Sequence, residues 1–299
     1  AAGEHPRRPF GLGSATATPA PHDGSMRGRA RPPWLLIVCA TVVVALGAAA
    51  GWYALRPAAP LLTWTASGED RLVTDEYRTV DADSINSPPD NVWDVTSGAL
   101  YVRDGTGWTG PTSAGQPIPG IGPSVGSAVF RMHSRRADLG DVATSVRLRA
   151  LAQDEPTGGT APDWDGVHVW VRHVSEQELY AVSVMRRDGQ VAIKRKLPGG
   201  PSNGGTYTTL ATTERTMPLG RWQDVEVRVR DEGEQVRIAL AIDGEPVLDA
   251  LDHGQPGPGQ SRARAITGSG SVGVRADATE VELAQVRVEP CSADLAEEC

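Results

Sequence analysis

Lysine is nearly absent from this chain, which has two lysines among 29 basic residues. Both of them, Lys194 and Lys196, lie in one short stretch that is predicted to be a strand. Acidic residues are in excess, since residues 57–299 hold 35 acidic and 23 basic residues, a net charge of −12. Phosphate binding needs a basic footprint, so this excess argues against nucleic acid as a partner.

Several catalytic and structural signatures are also missing. The sequence has no nucleophile elbow, phosphate-binding loop or dinucleotide fingerprint. It has no repeat of fixed period, which excludes a propeller, and no convincing amphipathic helix. The histidines lack metal-ligand spacing, and His168 and His173 are expected on opposite faces of a strand. No cofactor is therefore predicted, apart from a candidate calcium site at Asp163 and Asp165 in a predicted rim loop.

Residues 34–55 are a run of 22 residues without a charge, with Trp34 at one end and Trp52 and Tyr53 near the other. A helix of that length spans roughly 33 Å, enough to cross a bilayer core of about 30 Å. Residues 1–33 are rich in arginine and small residues, which predicts a disordered cytoplasmic tail. Residues 34–55 are then a transmembrane helix, 56–60 a linker, and the rest extracytoplasmic. The alternative is a cleaved signal peptide.

The three cysteines are unevenly placed. Cys39 falls in the apolar run and is interpreted as an apolar residue of the span. Cys291 and Cys299 lie in the C-terminal tail, 291–299, where an oxidising compartment would let them form a disulfide. Two thiols without a nearby histidine do not predict a metal site.

Residues 61–290 show the pattern of an all-β domain. Short alternating segments are separated by turn signals, and roughly 12 to 14 strands are predicted. Antiparallel strands at this spacing indicate a sandwich or a barrel. The segment WDGVHVWVRH at 164–173 places its valines on one face and His168, Trp170 and Arg172 on the other.

A hairpin follows this strand in ELYAVSVMRRDGQVAIKRKL, with Asp188–Gly189 predicted as a two-residue turn. That turn pairs Ser183 with Lys194 and Ala181 with Lys196 on one small, polar and basic face. The opposite face, mostly apolar, is predicted to lie in the core.

Four segments together resemble the concanavalin A-like lectin/glucanase superfamily, in particular its laminin-G-like and 3-keto-disaccharide-hydrolase-like domains. They are SGALYVRDGTGWTG, WDGVHVWVRH, ELYAVSVMRRDGQVAIKRKLPGG and GRWQDVEVRVRDEGEQVRIALAIDGEPVL. The resemblance covers 61–290 and implies a jelly roll of two antiparallel sheets. It also implies glycan binding on one sheet or its rim loops, sometimes with calcium and often without catalysis.

The expected function is therefore that of a membrane-anchored, non-catalytic module that binds a cell-envelope glycan. Its ligand-binding residues are predicted to be His168, Trp170, Arg172, Ser183, Lys194 and Lys196, with Arg147 on the same face and Trp108 in a glycine-rich loop. Trp170 would act as a stacking platform for a sugar that carries some negative charge. The competing interpretation is that loops cover this face and that Trp170 is structural.

Two other functions stay open at this stage. A glycoside hydrolase would need a pair of carboxylates, but the E-x-D-x-x-E string of the glucanase branch is missing. The remaining candidate pairs are Asp81 and Asp83, Asp163 and Asp165, Glu176 and Glu178, and Glu280 and Glu282. The third function is a structural or protein-interaction module of the cell envelope.

Overall fold

The computed structural model describes residues 59–80, 87–113, 117–155 and 160–291. The chain divides into two units, Ala1–Pro57 and Ala58–Cys299, and all described residues belong to the second. The predicted tail and transmembrane helix fall outside the described residues. Within the described part, no helix is long and apolar enough to cross a membrane.

The described residues form sixteen strands and one short helix, α1 (Glu76–Val80). The strands are β1 (Leu62–Thr65), β2 (Arg71–Asp75), β3 (Trp93–Ser97), β4 (Ala99–Arg103), β5 (Thr106–Trp108), β6 (Val129–Ser134), β7 (Val142–Gln153), β8 (Gly166–Ser175), β9 (Glu178–Arg186), β10 (Gln190–Ser202), β11 (Gly205–Glu214), β12 (Gln223–Glu232), β13 (Gln235–Ile242), β14 (Glu245–Asp252), β15 (Ser271–Asp277) and β16 (Thr279–Pro290).

These strands build two antiparallel sheets. One has nine strands in the order β14-β13-β12-β7-β16-β5-β4-β2, with β1 added beside β16. The other has seven, in the order β11-β10-β9-β8-β15-β6-β3. The predicted all-β sandwich of two antiparallel sheets is therefore confirmed.

The main core lies between the sheets and follows from the alternation of the strands. Val167, Val169 and Val171 of β8 are fully buried there, as are Val146 and Leu148 of β7. Burying each such aliphatic side chain contributes about 1.5–3 kcal/mol.

The core also contains a buried ion pair. Arg195 bonds Asp252, and the Tyr180 hydroxyl donates to the second carboxylate oxygen of Asp252 over 2.7 Å. Alternation predicts Arg195 on this inner face, and the carboxylate is what makes its burial tolerable, because an unpaired buried charge is very costly.

The central hairpin has a different turn from the predicted one. The Gly189 amide donates to the Arg186 carbonyl over 3.0 Å, and Gly189 has a φ of 73°. The connection between β9 and β10 therefore has three residues, 187–189, instead of two, and Ser183 pairs with Ala192 rather than with Lys194. The predicted register was wrong by two residues, but side chains alternate with a period of two, so Ser183, Lys194 and Lys196 keep their predicted face.

Strand β8 departs from regular alternation at Arg172, which has a φ of 49°. The pairing of β8 with β9 shifts between Val171 and Ser175. The Arg172 side chain turns away from Trp170 and bonds Asp141 and Asp231 at 2.7 and 2.9 Å. The prediction that Arg172 shares the face of Trp170 is wrong, because one left-handed residue interrupts the two-residue period.

Cys291 is disulfide-bonded. Cys299 lies outside the described residues, so its pairing with Cys291 stays a prediction.

Candidate functional site

A cavity of about 500 Å³ lies on the outer face of the seven-stranded sheet. Strands β6, β8, β9, β10, β11 and β15 all contribute to its lining, together with the loop before β8 and the β10–β11 turn. The lining residues are Arg131, Trp164, His168, Trp170, Ala181, Ser183, Lys194, Lys196, Pro201, Ser202, Asn203, Tyr207, Arg275 and Asp277.

Strand register explains why these residues meet. Trp170 stands opposite Ala181, which in turn stands opposite Lys194 on β10. On its other side Trp170 faces Gly273 of β15. Small neighbours on both sides leave room above the floor of the sheet for a cavity. The structure thus brings five predicted residues together, namely His168, Trp170, Ser183, Lys194 and Lys196.

Trp170 forms part of the floor and is only 1% exposed. Its ring stacks on His173, with 5.1 Å between centroids and 7° between planes, and His173 stacks in turn on His133. The expectation that His168 and His173 alternate to opposite faces is wrong, since the irregularity at Arg172 returns His173 to the side of Trp170. One ring face of Trp170 is thereby occupied, so an open stacking platform is not what the structure shows.

Two polar atoms in this stack have no hydrogen-bond partner among the described residues, Nε1 of Trp170 and Nε2 of His173. Burial, followed by the nearby His133, lowers the pKa of His173 to about 4. The imidazole of His173 is therefore neutral at pH 7.

His168 is the centre of a hydrogen-bonded row at the cavity floor. Its Nε2 lies 3.3 Å from Oδ2 of Asp277, and its Nδ1 lies 2.8 Å from the Ser183 hydroxyl. Arg275 donates two bonds of 2.7 Å to Asp277. Burial alone would raise the pKa of Asp277, but the bonds from His168 and Arg275 lower it to about 2.

The protonation of this row follows from its contacts. Burial lowers the pKa of His168, so its ring is neutral at pH 7. The ionised Asp277 accepts from Nε2, which leaves Nδ1 to accept the Ser183 proton.

The two lysines lie side by side on β10, both directed into the cavity. Nζ of Lys196 donates to the Glu176 carbonyl over 2.5 Å and lies 5.2 Å from the centre of the Tyr207 ring. Among the described residues, Lys194 forms no hydrogen bond and no ion pair. Burial is the main reason that the pKa of each lysine falls to about 8.

Trp164 is an aromatic residue at the rim, and it is 55% exposed. It lines the cavity together with Asn203 and Tyr207. The sequence predicts a calcium loop from the flanking Asp163 and Asp165, and Trp164 is not among the predicted ligand-binding residues. Its place in a polar loop just before β8 was the available signal, because loop tryptophans at strand ends are often exposed.

Arg147 lies elsewhere, and its assignment to this face is wrong. It belongs to β7 of the nine-stranded sheet, where it bonds Asp224 over 3.0 Å. Alternation predicts on which face of a strand a side chain lies, but it does not predict to which sheet the strand belongs.

Trp108 is also not an exposed loop residue. It ends β5 and is 5% exposed, with its Nε1 donating to Glu280 over 2.6 Å. The Arg103 guanidinium lies 3.6 Å from the centre of its ring. The glycine-rich segment forms a short strand, and the Trp108 ring in it is covered by Arg103 and Tyr101.

Most candidate carboxylates that the structure describes are engaged by arginine side chains. No group of three or more potential metal ligands occurs within the described ranges. Asp165 is buried, and its carboxylate lies 3.8 Å from the Arg187 guanidinium. Arg187 therefore already supplies a positive charge to this carboxylate. Glu282 bonds Arg103 and Arg149, and Glu178 bonds Arg264. Asp81 and Asp83 lie outside the described residues.

No protein-family model matches the sequence, and no curated protein matches it. Among solved structures, the carbohydrate binding module CBM66 from Bacillus subtilis is 10% identical with a TM-score of 0.42, over 67% of this chain and 96% of that one. A Bacillus subtilis protein of unknown function with a galectin-like fold is 9% identical with a TM-score of 0.48, over 78% and 97%. An endo-1,3-beta-glucanase from Streptomyces sioyaensis is 9% identical with a TM-score of 0.41, over 78% and 98%.

At 9–10% identity and TM-scores below 0.5, these similarities identify neither a ligand nor a binding residue of this chain.

Proposed function

We propose that this domain binds a saccharide in the cavity on the outer face of the seven-stranded sheet. The observation that carries the proposal is the composition of the lining, in which the exposed ring of Trp164 and the half-buried ring of Tyr207 lie beside hydrogen-bonding groups. A volume of about 500 Å³ is within the range of pockets that hold small ligands.

Each part of the lining suits a different part of a sugar. The exposed ring of Trp164 and the ring of Tyr207 offer apolar faces on which sugar C–H groups pack. Lys194, Lys196 and Asn203 supply hydrogen-bonding groups for hydroxyls. Trp170 contributes a buried floor, which makes it a supporting residue in this proposal.

Binding is favoured over two-carboxylate hydrolysis. Asp277 is the single carboxylate among the described lining residues. With its pKa lowered to about 2, Asp277 is ionised and cannot act as a general acid at neutral pH. A retaining or inverting glycosidase requires a second carboxyl group near the first.

The row of Ser183, His168 and Asp277 has the residue types of a nucleophilic triad. Ser183 is only 1% exposed, however, so its hydroxyl is not open to an incoming carbonyl carbon. We therefore interpret the row as a support that fixes the ring of His168 at the cavity floor.

Binding is tested by affinity electrophoresis of the full-length chain in gels that contain a single bacterial envelope polysaccharide, one per gel. Wild type should be retarded by at least one polysaccharide, and Trp164→Ala should lose most of that retardation. Trp222→Ala is the matched control, because Trp222 contacts Arg147 and Arg149 of the other sheet. Loss of retardation in both variants, or none in wild type, would count against the proposal.

We further propose that residues 34–55 anchor the domain to a membrane, with the domain on the extracytoplasmic side. The charge-free run and the arginines before it support this topology. A membrane-impermeant maleimide applied to intact cells should label Cys291 after reduction. Labelling that appears only after lysis would reverse the proposed orientation.

A further inference from the structure

We infer that the saccharide bound in this cavity carries an acidic group, a carboxylate or a sulfate or phosphate ester, which is bound by Lys194. The inference rests on the proposed function and names the class of ligand.

The cavity has more cationic than anionic side chains. Four of its described lining residues carry positive charge, Arg131, Lys194, Lys196 and Arg275, against the one carboxylate of Asp277. Arg275 occupies both oxygens of Asp277, at 2.7 Å each. The carboxylate is therefore not available to neutralise the lysines. An otherwise acidic domain thus has a local excess of positive charge here.

The lysines differ from the arginines in how they are paired. Arginines form most ion pairs of the described residues, and Arg131, for example, lies 3.9 Å from Glu176. Within the same part of the chain, neither lysine has a carboxylate within 4.0 Å, and the bond of Lys196 goes to a neutral carbonyl. Asp188 attracts Lys194 and Glu176 attracts Lys196, but neither carboxylate is within ion-pair distance of its lysine. Because burial disfavours the charged form of each lysine, a bound anion in direct contact would stabilise it.

Lys194 is the better placed of the two to receive an anion. Its ammonium is only partly buried and makes no hydrogen bond or ion pair with a described residue, so all three donors are available to a ligand. Its strand neighbours on the cavity side, Ala181 and Thr209, are small and leave the approach open. A lysine is a compact point charge, so it accepts carboxylate, sulfate or phosphate without the planar geometry that arginine favours.

The test uses isothermal titration of the full-length chain with matched oligosaccharides. The first pair is tetragalacturonate and its full methyl ester, which share one backbone and differ in charge. The second pair is unsulfated chondroitin hexasaccharide and its carboxyl-reduced form, which differ in the same way. Chondroitin-4-sulfate hexasaccharide separates sulfate from carboxylate recognition. At least one acidic member should bind about tenfold more tightly than its neutral partner, as expected for one charge-assisted contact.

Two variants and a control locate the effect. Lys194→Gln should remove the preference for the acidic member, and Lys194→Arg should keep part of it. Arg147→Gln makes the same change in net charge on the other sheet and should leave the preference intact. Thermal melts of each variant check that it is folded.

The outcomes separate the two proposals. Equal binding of acidic and neutral members overturns the acidic ligand and leaves saccharide binding in place. An equal loss in Lys194→Gln and Arg147→Gln overturns the specific role of Lys194. Absence of binding to every probe and every polysaccharide gel overturns both.

Discussion

The buried histidine stack predicts that the domain loses stability in mild acid, before ordinary carboxylates titrate. His173 lies between the rings of Trp170 and His133, and its Nε2 lacks a hydrogen bond within the described structure. Burial outweighs the attraction of Glu176 and lowers the pKa of His173 from 6.5 to about 4. The unfolded chain therefore binds a proton between pH 6.5 and 4 that the native state does not.

The sign and the size of this loss of stability follow from proton linkage. Stability from the neutral His173 is fully present above pH 6.5 and is lost as the pH falls towards 4. A shift of 2.5 pKa units corresponds to roughly 3 kcal/mol, of which about 2 kcal/mol is lost by pH 5. The pKa of His168 is also lowered, so His168 adds a loss of the same sign.

Urea unfolding of the full-length chain at pH 7, 6 and 5 measures this effect. Wild type should lose stability steadily over that range, and His173→Gln should remove about one proton from the slope. His253→Gln is the control, because it removes an exposed histidine that lies outside the stack of Trp170, His173 and His133. If His173→Gln kept the wild-type slope, the reasoning about the stack would be refuted.

Two further predictions concern stability. Asp252→Asn should cost about 3–5 kcal/mol, because it leaves Arg195 charged in the core, whereas a joint Arg195→Met and Asp252→Leu change should recover most of that loss. Urea midpoints would measure both, and an unchanged midpoint in Asp252→Asn would contradict the importance of the pair. Gly273→Ala should also be destabilising, since its Cβ would lie 2.3 Å from the Met132 carbonyl oxygen, backbone that cannot move cheaply. A melting temperature equal to wild type would show that the two strands separate more easily than the structure implies.

Residue alternation and strand order correctly predicted which side chains lie together on most of the cavity floor. His168 and Trp170 on β8, Ser183 on β9, and Lys194 and Lys196 on β10 follow from a period of two and from the order of the strands. This grouping survived a wrong hairpin turn, because the error was two residues and an even shift keeps each side chain on its face.

Other members of the site depend on contacts between distant parts of the chain. Arg275 and Asp277 reach His168 only because β15 pairs with β8, and no local pattern indicates that pairing. Trp164 became a rim residue through the position of its loop beside the β10–β11 turn.

The sequence by itself determined the fold class, the inner and outer faces of the central strands and the position of two rare lysines. The tertiary structure decided which sheet holds Arg147, how Trp108 is covered and where Arg172 and His173 point. The physical reason is that alternation is a local property of the backbone. A single residue at positive φ, and the choice of partner strand, are fixed by packing and hydrogen bonds across the whole domain.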